Sequence, residues 1–321
     1  MLYEVRPGSG ELKKIQLDSH PKCALFEQRI VSRPQEKDAV VVVRYLGLRE
    51  RDASEGDDSL SLPLEPDLSS LEKIDVNLHG SPASAYRMGD TCDAWFSDRF
   101  GVPTILVYLG DGRRAVLGKT LLPKTAPEQQ QQKQGGWMTS LTSYITGPQQ
   151  PDDSAAPWLT FTDVAPLLVT SEASLRDVSG RLLDGQTVGM YKFRPNVVVD
   201  GEGQDAWAED FWAELEIETE AETEHRDKAR KQTLQLTGNC VRCTSLNVDY
   251  QTGKPAEGEQ GNVLKRLMKD RRVDPGTKWS PVFGRYAFPD SHSESFTVSV
   301  GDGVEVTRHN VERSVWDWPG L

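Results

Sequence analysis

Two of the chain's four cysteines, Cys240 and Cys243, lie close together in "GNCVRCTSLNVDYQTGK" (238–254), with Arg242 directly before the second. Such a pair serves four kinds of chemistry: a zinc knuckle, a dithiol redox couple, two thiols packed in a core, or one thiolate holding a soft metal. A structural zinc takes four nitrogen or sulfur ligands, usually from two such pairs or from one pair and two spaced histidines. Here there is one CxxC, and His20, His79, His225, His292 and His309 are scattered without ligand spacing. A redox dithiol sits at a helix N-terminus, where the dipole lowers the thiol pKa. The residues after Cys243, "TSLNVDY", are β-branched and turn-like instead. Packed thiols and a single thiolate ligand or nucleophile both stay open. Arg242 would favour an ionised Cys243 sulfur and offer phosphate a planar fork of donors; its structural alternative is a pair with Glu209–Asp210. Spacing alone does not choose.

The elements that position this turn are bounded by bulk properties. A chain of 321 residues suggests about two domains. A formal charge of -12 argues against nucleic-acid binding, which needs a Lys/Arg surplus for phosphate contacts. No run approaches the roughly 18 apolar residues of a membrane span. The start, "MLYEVRPGSGELKK", lacks the basic and apolar regions of a secretory signal. Cys23 and Cys92 are isolated, so no disulfide framework is expected. These features point to a reduced, soluble, intracellular protein.

Residues 1–109 read as one block. "DAVVVVRYLGL" (38–48) predicts a buried strand, and "DDSLSLPLEPDLSSL" (57–71) a loop with extended pieces. Asp90 is placed to cap a helix carrying Cys92, Ala94, Trp95, Phe96 and Phe100 on its apolar side, with Gly101 ending it and "PTILVYL" next as a strand. Residues 110–157 hold "PEQQQQKQGG" and "GPQQPDDSAAP", too polar to fold alone, and read as a linker or insertion. "WMTSLTSYI" (137–145) within it reads equally as a docking helix or as a sticky patch. Residues 158–308 form the second block, with a tail at 309–321. Its expected elements are a helix after Ser171 with Leu175, Val178 and Leu182 inward, a strand at "KFRPNVVVDG", and a strand ending "DAWAEDFWAELEI". The charge run 216–232 reads as a solvated helix or loop, and "SFTVSVGDGVEVTR" as a hairpin about Gly-Asp-Gly. Many short strands and few helices predict a mainly β, α+β protein built as a barrel or sandwich.

The motifs "FTDVAPLLVTSEASL", "KFRPNVVVDG", "AWAEDFWAEL", "GNCVRCTSLNVDYQTGK", "SPVFGRYAF" and "VSVGDGVEV" occur in the order seen in the MOSC domain, the molybdenum-cofactor sulfurase C-terminal domain. The closest likeness is to amidoxime-reducing MOSC proteins. "SLPLEPDL" and "YRMGDTCDAWFSDRFGVPTILVYL" make the first block resemble that family's N-terminal β-barrel domain. The resemblance implies a MOSC β-barrel packed on a smaller domain, with the molybdenum cofactor (Mo-molybdopterin) between them. It makes Cys243 the metal ligand and Asp163, Arg194, Asn196 and Arg242 cofactor-binding residues. A soft thiolate suits a thiophilic metal, a guanidinium suits a phosphate or pterin edge, and a carboxylate accepts pterin N–H bonds. Arg194 and Asn196, two apart on an expected strand, would share a face.

The implied activity is molybdenum-dependent oxidoreduction of N-hydroxylated substrates such as amidoximes. Electrons would come from a b-type haem cytochrome and its NADH-dependent reductase. The alternative is a non-catalytic cofactor carrier or sulfur-transfer-type module, as in MOSC domains attached to sulfurases. Cytoplasmic and mitochondrion-associated locations both fit. Two departures stand out. The chain opens with residues resembling the segment after the family's first two strands, so part of the positive cofactor cradle is expected to be missing. Val241 stands where relatives can have a hydroxyl, so one hydrogen bond is expected to be absent.

Overall fold

In the first block, alternating and continuous β-branched runs form eight strands. They are β1 (Leu2–Val5), β2 (Leu12–Lys14), β3 (Phe26–Val31), β4 (Val40–Tyr45), β5 (Ser59–Pro63), β6 (Glu72–Leu78), β7 (Ser81–Arg87) and β8 (Thr104–Tyr108). The structure, a computed structural model, describes residues 1–32, 39–47, 58–123, 157–219, 230–290 and 296–321. Five of the strands form an antiparallel sheet in the order β2-β1-β8-β7-β6, and β3-β4-β5 form a second. Expected strand 38–48 is β4, and the expected extended pieces of 57–71 include β5.

Helix α1 (Asp90–Phe100) differs in detail from its expectation. Gly89 takes the cap position, while Asp90 lies in the first turn with its carboxylate 2.6 Å from Arg87. Cys92, Phe96 and Phe100 face inward, but Ala94 is exposed and Asp93 is buried instead. Asp93 has partners that make its burial tolerable, accepting from Leu106 N at 2.8 Å and Arg87 Nε at 2.6 Å. Gly101, in the left-handed region at φ +77°, ends the helix.

The stretch expected as a linker divides. Residues 110–123 belong to the packed protein: β9 (Arg114–Ala115) pairs with β10 (Trp158–Leu159), and Leu121 is fully buried. Leu121 lies over Gly238, where any added Cβ would collide with its side chain. Residues 124–156, with the apolar 137–145 segment, lie outside the described residues.

The second block adds β11 (Leu167–Ser171), β12 (Val197–Val199), β13 (Trp212–Thr219), β14 (Arg230–Val241), β15 (Val248–Asp249), β16 (Lys254–Pro255), β17 (Val282–Pro289) and β18 (Gly303–His309). Six of these form a sheet in the order β12-β11-β17-β14-β13-β18. Only β11 and β12 pair in parallel within it, joined through α2 (Glu172–Gly180). Ser171 caps α2, its Oγ accepting from Ala173 N and Ser174 N, and Val178 and Leu182 are buried as the spacing requires. Central β17 is buried along nearly its whole length. The fold is mainly β with a few helices, its two larger sheets curling as half-barrels. A short helix, α3 (Val263–Leu267), was not anticipated.

Three local expectations are corrected. No hairpin forms about Gly301-Asp302-Gly303: β18 runs alone from Gly303 and pairs with β13, which offers a longer edge than residues 296–299. The charge run 216–232 is neither helix nor loop at its ends, because β13 extends to Thr219 and β14 begins at Arg230; 220–229 lie outside the described residues. The "KFRPNVVVDG" strand starts only at Val197, leaving Arg194 and Asn196 in the turn before it.

Candidate functional site

The cysteine turn is shaped by β14. Its inward residues alternate as far as Leu236, after which the register with β17 shifts at Leu236/Gly238 and again at Asn239/Val241. Such bulges re-aim the side chains beyond them. Cys240 turns into the core beside Tyr286 and Trp316, and burial raises its thiol pKa. Cys243, just past the strand, is exposed and donates to Ser245 Oγ at 3.2 Å. A serine on the far side of Cys243 thus supplies a hydroxyl where Val241 supplies none. The two sulfurs have opposite environments, so the pair is one packed thiol and one presented thiol. Among the described residues no three His, Cys, Asp or Glu side chains converge as a structural zinc would need.

Arg242 points inward. Its Nε and Nη2 donate to Phe283 O at 2.9 and 2.7 Å, and its Nη1 donates to Phe193 O at 2.8 Å. It does not pair with Glu209–Asp210; Arg271 fills that role. Its guanidinium also faces the stacked rings of Phe193 and Phe283, whose centroids are 3.9 Å apart. This use of its donors makes it the brace between the cysteine turn and the turn carrying Arg194.

Arg194 itself is exposed, in the left-handed region at φ +56°. A bulky residue is strained there and persists only where its surroundings over-determine it. Buried Phe193 anchors one side. Asn196 fixes the other, donating its N–H to Leu168 O at 2.9 Å and accepting from Leu168 N at 2.8 Å. Asn196 therefore ties this turn to β11 instead of sharing a strand face with Arg194. Among the described residues the Arg194 guanidinium makes no hydrogen bond or ion pair. Its charge acts on Asp163, Cys23, Cys240 and Tyr250, which places these groups around it.

Asp163 lies just before β11, at the junction of the two blocks. Its Oδ1 meets His79 Nε2 at 2.6 Å and its Oδ2 accepts from Tyr286 OH at 2.8 Å. About half of its side chain, 51%, remains open, although protein surrounds it. Burial alone would push this carboxyl up; hydrogen bonding to His79 and Tyr286 and the nearby Arg194 charge bring it down to about 2. Fully buried Arg114 fixes this junction, donating to Thr160 O and Thr162 O at 2.8 Å each and to Leu78 O at 2.9 Å. It thereby locks the residue before His79 to the loop that carries Asp163.

Four contributors were not found from sequence. Lys14 Nζ lies 2.7 Å from His79 Nδ1, and Tyr286 holds Asp163. Tyr250, its ring edge-on to Tyr191 with centroids 5.0 Å apart, has a buried hydroxyl with no partner. Burial raises the pKa of that hydroxyl, keeping it a neutral donor. His79 takes φ 58° as part of the two-residue His79-Gly80 turn of the β6–β7 hairpin, a conformation that carries no sign of its contact with Asp163. A cavity of about 690 Å3 beside 308–315 contains none of Asp163, Arg194, Asn196, Arg242 and Cys243.

The presented thiol, the unpaired guanidinium and the orphaned hydroxyl match a ligand with a soft metal and a polar, anionic edge. An orphaned buried hydroxyl is costly unless something meets it.

The MOSC domain family model matches residues 156–305. Human mitochondrial amidoxime-reducing component 1 is 34% identical over 150 residues, 46% of this chain and 38% of that protein. The rat mitochondrial amidoxime reducing component 2 is 36% identical over 148 residues, 45% of this chain and 37% of its own length. A rice molybdenum cofactor sulfurase is 24% identical over 210 residues, 63% of this chain but 21% of that protein. The match thus spans little more than a third of the amidoxime-reducing components. The β-rich fold and the cysteine turn both lie inside the matched region, and residues 156–305 form a MOSC domain.

Proposed function

We propose that this protein binds the molybdenum cofactor at the junction of its two blocks and uses it to reduce N-hydroxylated substrates. The MOSC domain and the relatives named above support a molybdenum-cofactor-related function. The observation that carries the finer reading is the exposed Cys243 thiol, grouped with an unpaired Arg194 and the partnerless Tyr250 hydroxyl. When bound, the cofactor would supply two-electron oxygen-atom chemistry that no side chain here can perform.

Cys243 would be the protein's thiolate ligand, a soft donor for a thiophilic metal. Arg194 and Tyr250 would donate to the cofactor's anionic or polar edge. Asp163 stays ionised at neutral pH and retains acceptor capacity beyond His79 and Tyr286, so it would receive pterin N–H groups. Asn196 and Arg242 act indirectly, fixing the turns that present Arg194 and Cys243. In the reaction class proposed, two electrons and two protons convert an N–OH group to N–H and release water. The electrons would come from a b-type cytochrome served by an NADH-dependent reductase. No helix among the described residues is long and apolar enough to cross a membrane.

One observation favours a second reading. The likeness to a molybdenum cofactor sulfurase covers more of this chain than the likeness to the amidoxime-reducing components. That fits a cofactor carrier or sulfur-transfer module using the same residues without turnover. The test is expression in a cofactor-producing host. Molybdenum bound near one per chain and reduction of benzamidoxime by a chemical electron donor are expected, with both lost in Cys243→Ser. Bound molybdenum without reduction favours the carrier; wild-type protein without molybdenum contradicts both readings.

A further inference from the structure

The geometry points to Lys14 and His79 as positioning residues that act on the cofactor site through Asp163. This inference rests on the function proposed above.

The three groups form a continuous hydrogen-bonded chain. Lys14 Nζ is 2.7 Å from His79 Nδ1, and His79 Nε2 is 2.6 Å from Asp163 Oδ1. A lysine ammonium only donates, so Nδ1 must accept; the ring proton then sits on Nε2, aimed at the carboxylate. Reversing the tautomer would break both contacts, which means that Lys14 selects the form of His79 that grips Asp163. The logic is that of outer partners that orient a ligand through a histidine's second nitrogen.

The chain crosses the molecule's main boundary. Lys14 comes from β2 and His79 from the turn between β6 and β7, while Asp163 precedes β11 in the MOSC domain. With Gly80 at φ 79°, His79 at φ 58° makes the two-residue turn of the β6–β7 hairpin, where both central residues take positive φ. Its carbonyl accepts from Trp318 Nε1 at 2.7 Å, and Arg114 holds the carbonyl of neighbouring Leu78 at 2.9 Å. Two anchors on a left-handed histidine are more than a surface ion pair requires. They fix the ring where it meets Asp163.

The charges facing this chain fit the role. Lys14 faces Asp163, Asp18, Arg114 and Cys243, and Asp163 faces Tyr286 and Arg194. Gln16 Nε2 lies 3.5 Å from His79 Nε2; with the ring proton on Nε2 both atoms carry N–H, so this pair is a contact and not a hydrogen bond.

The experiment compares wild type with His79→Ala, His79→Gln and Lys14→Met, all made in a cofactor-producing host. Outer partners of this kind typically contribute about 10–100-fold in metal affinity or activity. His79→Ala should retain roughly tenfold less molybdenum. His79→Gln, whose amide both accepts and donates, should recover most of that loss, because a purely structural histidine would not be rescued by its hydrogen-bonding pattern. Nitrogen-15 spectra of the His79 ring in cofactor-free protein supply a second readout. The Nε2–H tautomer should dominate in wild type and lose its dominance in Lys14→Met. Equal loading of His79→Ala and wild type, or a ring signal indifferent to Lys14, would overturn the positioning role alone. Wild-type protein that takes up no molybdenum would overturn the site reading, and the positioning role with it.

Discussion

Two arginine-bearing regions of the MOSC domain treat the same side chain in opposite ways. Deep in the sheet, Arg285 donates to Asp210 O, Asn239 Oδ1, Leu236 O and Ser314 Oγ, while Arg271 and Arg313 meet the Asp210 carboxylate. Asn239 in turn donates to Asp274, which accepts from Trp316 N at 2.9 Å and so fastens the C-terminal residues to the barrel. Near Cys243, Arg194 is exposed, strained at φ +56° and without a hydrogen-bond partner among the described residues, beside a Tyr250 hydroxyl that has none either. In the first region Arg285 leaves its Nε without a partner among the described residues, but its other donors and the carboxylate of Asp210 are satisfied, as buried charges require. The second is incomplete but rigidly held. A site that keeps unpaired donors on a fixed backbone is arranged for a ligand, whereas one with nearly every donor used is arranged for folding.

Breaking the interior network should have the largest effect on stability. Asp210→Ala strands Arg271 in the core and takes the carboxylate from Arg313, and should cost about 3–5 kcal/mol in urea denaturation. Arg242→Met, which leaves the carbonyls of Phe193 and Phe283 without their donor, should cost about 2–3 kcal/mol. Arg194→Met should change stability by no more than about 0.5 kcal/mol yet lower molybdenum retention. If Arg194→Met proves as destabilising as Arg242→Met, the contrast between the regions fails.

Glu209 sharpens the comparison through pH. Fully buried, it accepts from Ser174 Oγ at 2.8 Å through one oxygen while the other has no partner, and burial raises its pKa from 4.5 to about 7. Its folded pKa lies above its unfolded one, so the neutral form is favoured in the folded chain. That contribution is whole below about pH 4.5 and is lost as pH rises toward about 7. Thermal melts of wild type should therefore lose about 3 kcal/mol across this window relative to Glu209→Gln, whose side chain carries no charge to bury. Parallel melting curves for the two proteins would contradict this. Tyr250→Phe, which removes a hydroxyl unpartnered among the described residues, should act in the stabilising direction. Stability should hold or rise by at most about 1 kcal/mol while molybdenum retention falls.

Local patterns carried much of this into the sequence. Ser171, the spacing of Val178 and Leu182, and Gly101 all mark helix ends or faces through bonds within a few residues, and they were legible. Cys243 and Arg194, which resemblance more than spacing put forward as metal ligand and cofactor-binding residue, are both exposed. What stayed hidden is set by distant partners. β18 pairs with β13 across the charge run, defeating a local hairpin signal at Gly301-Asp302-Gly303. Asn196 is drawn to Leu168, and Arg242 to two phenylalanine carbonyls, choices that no window of neighbours encodes. His79 joins the site only because Arg114 and Trp318, both far along the chain, fold it against Asp163.

The most direct test is X-ray absorption at the molybdenum edge on holo protein and its Cys243→Ser and Cys240→Ser variants. A single exposed sulfur acting as the protein's ligand predicts that Cys240→Ser keeps the wild-type sulfur shell, while Cys243→Ser loses one sulfur neighbour or the metal altogether. A Cys243→Ser spectrum identical to wild type, at equal molybdenum content, would contradict the account.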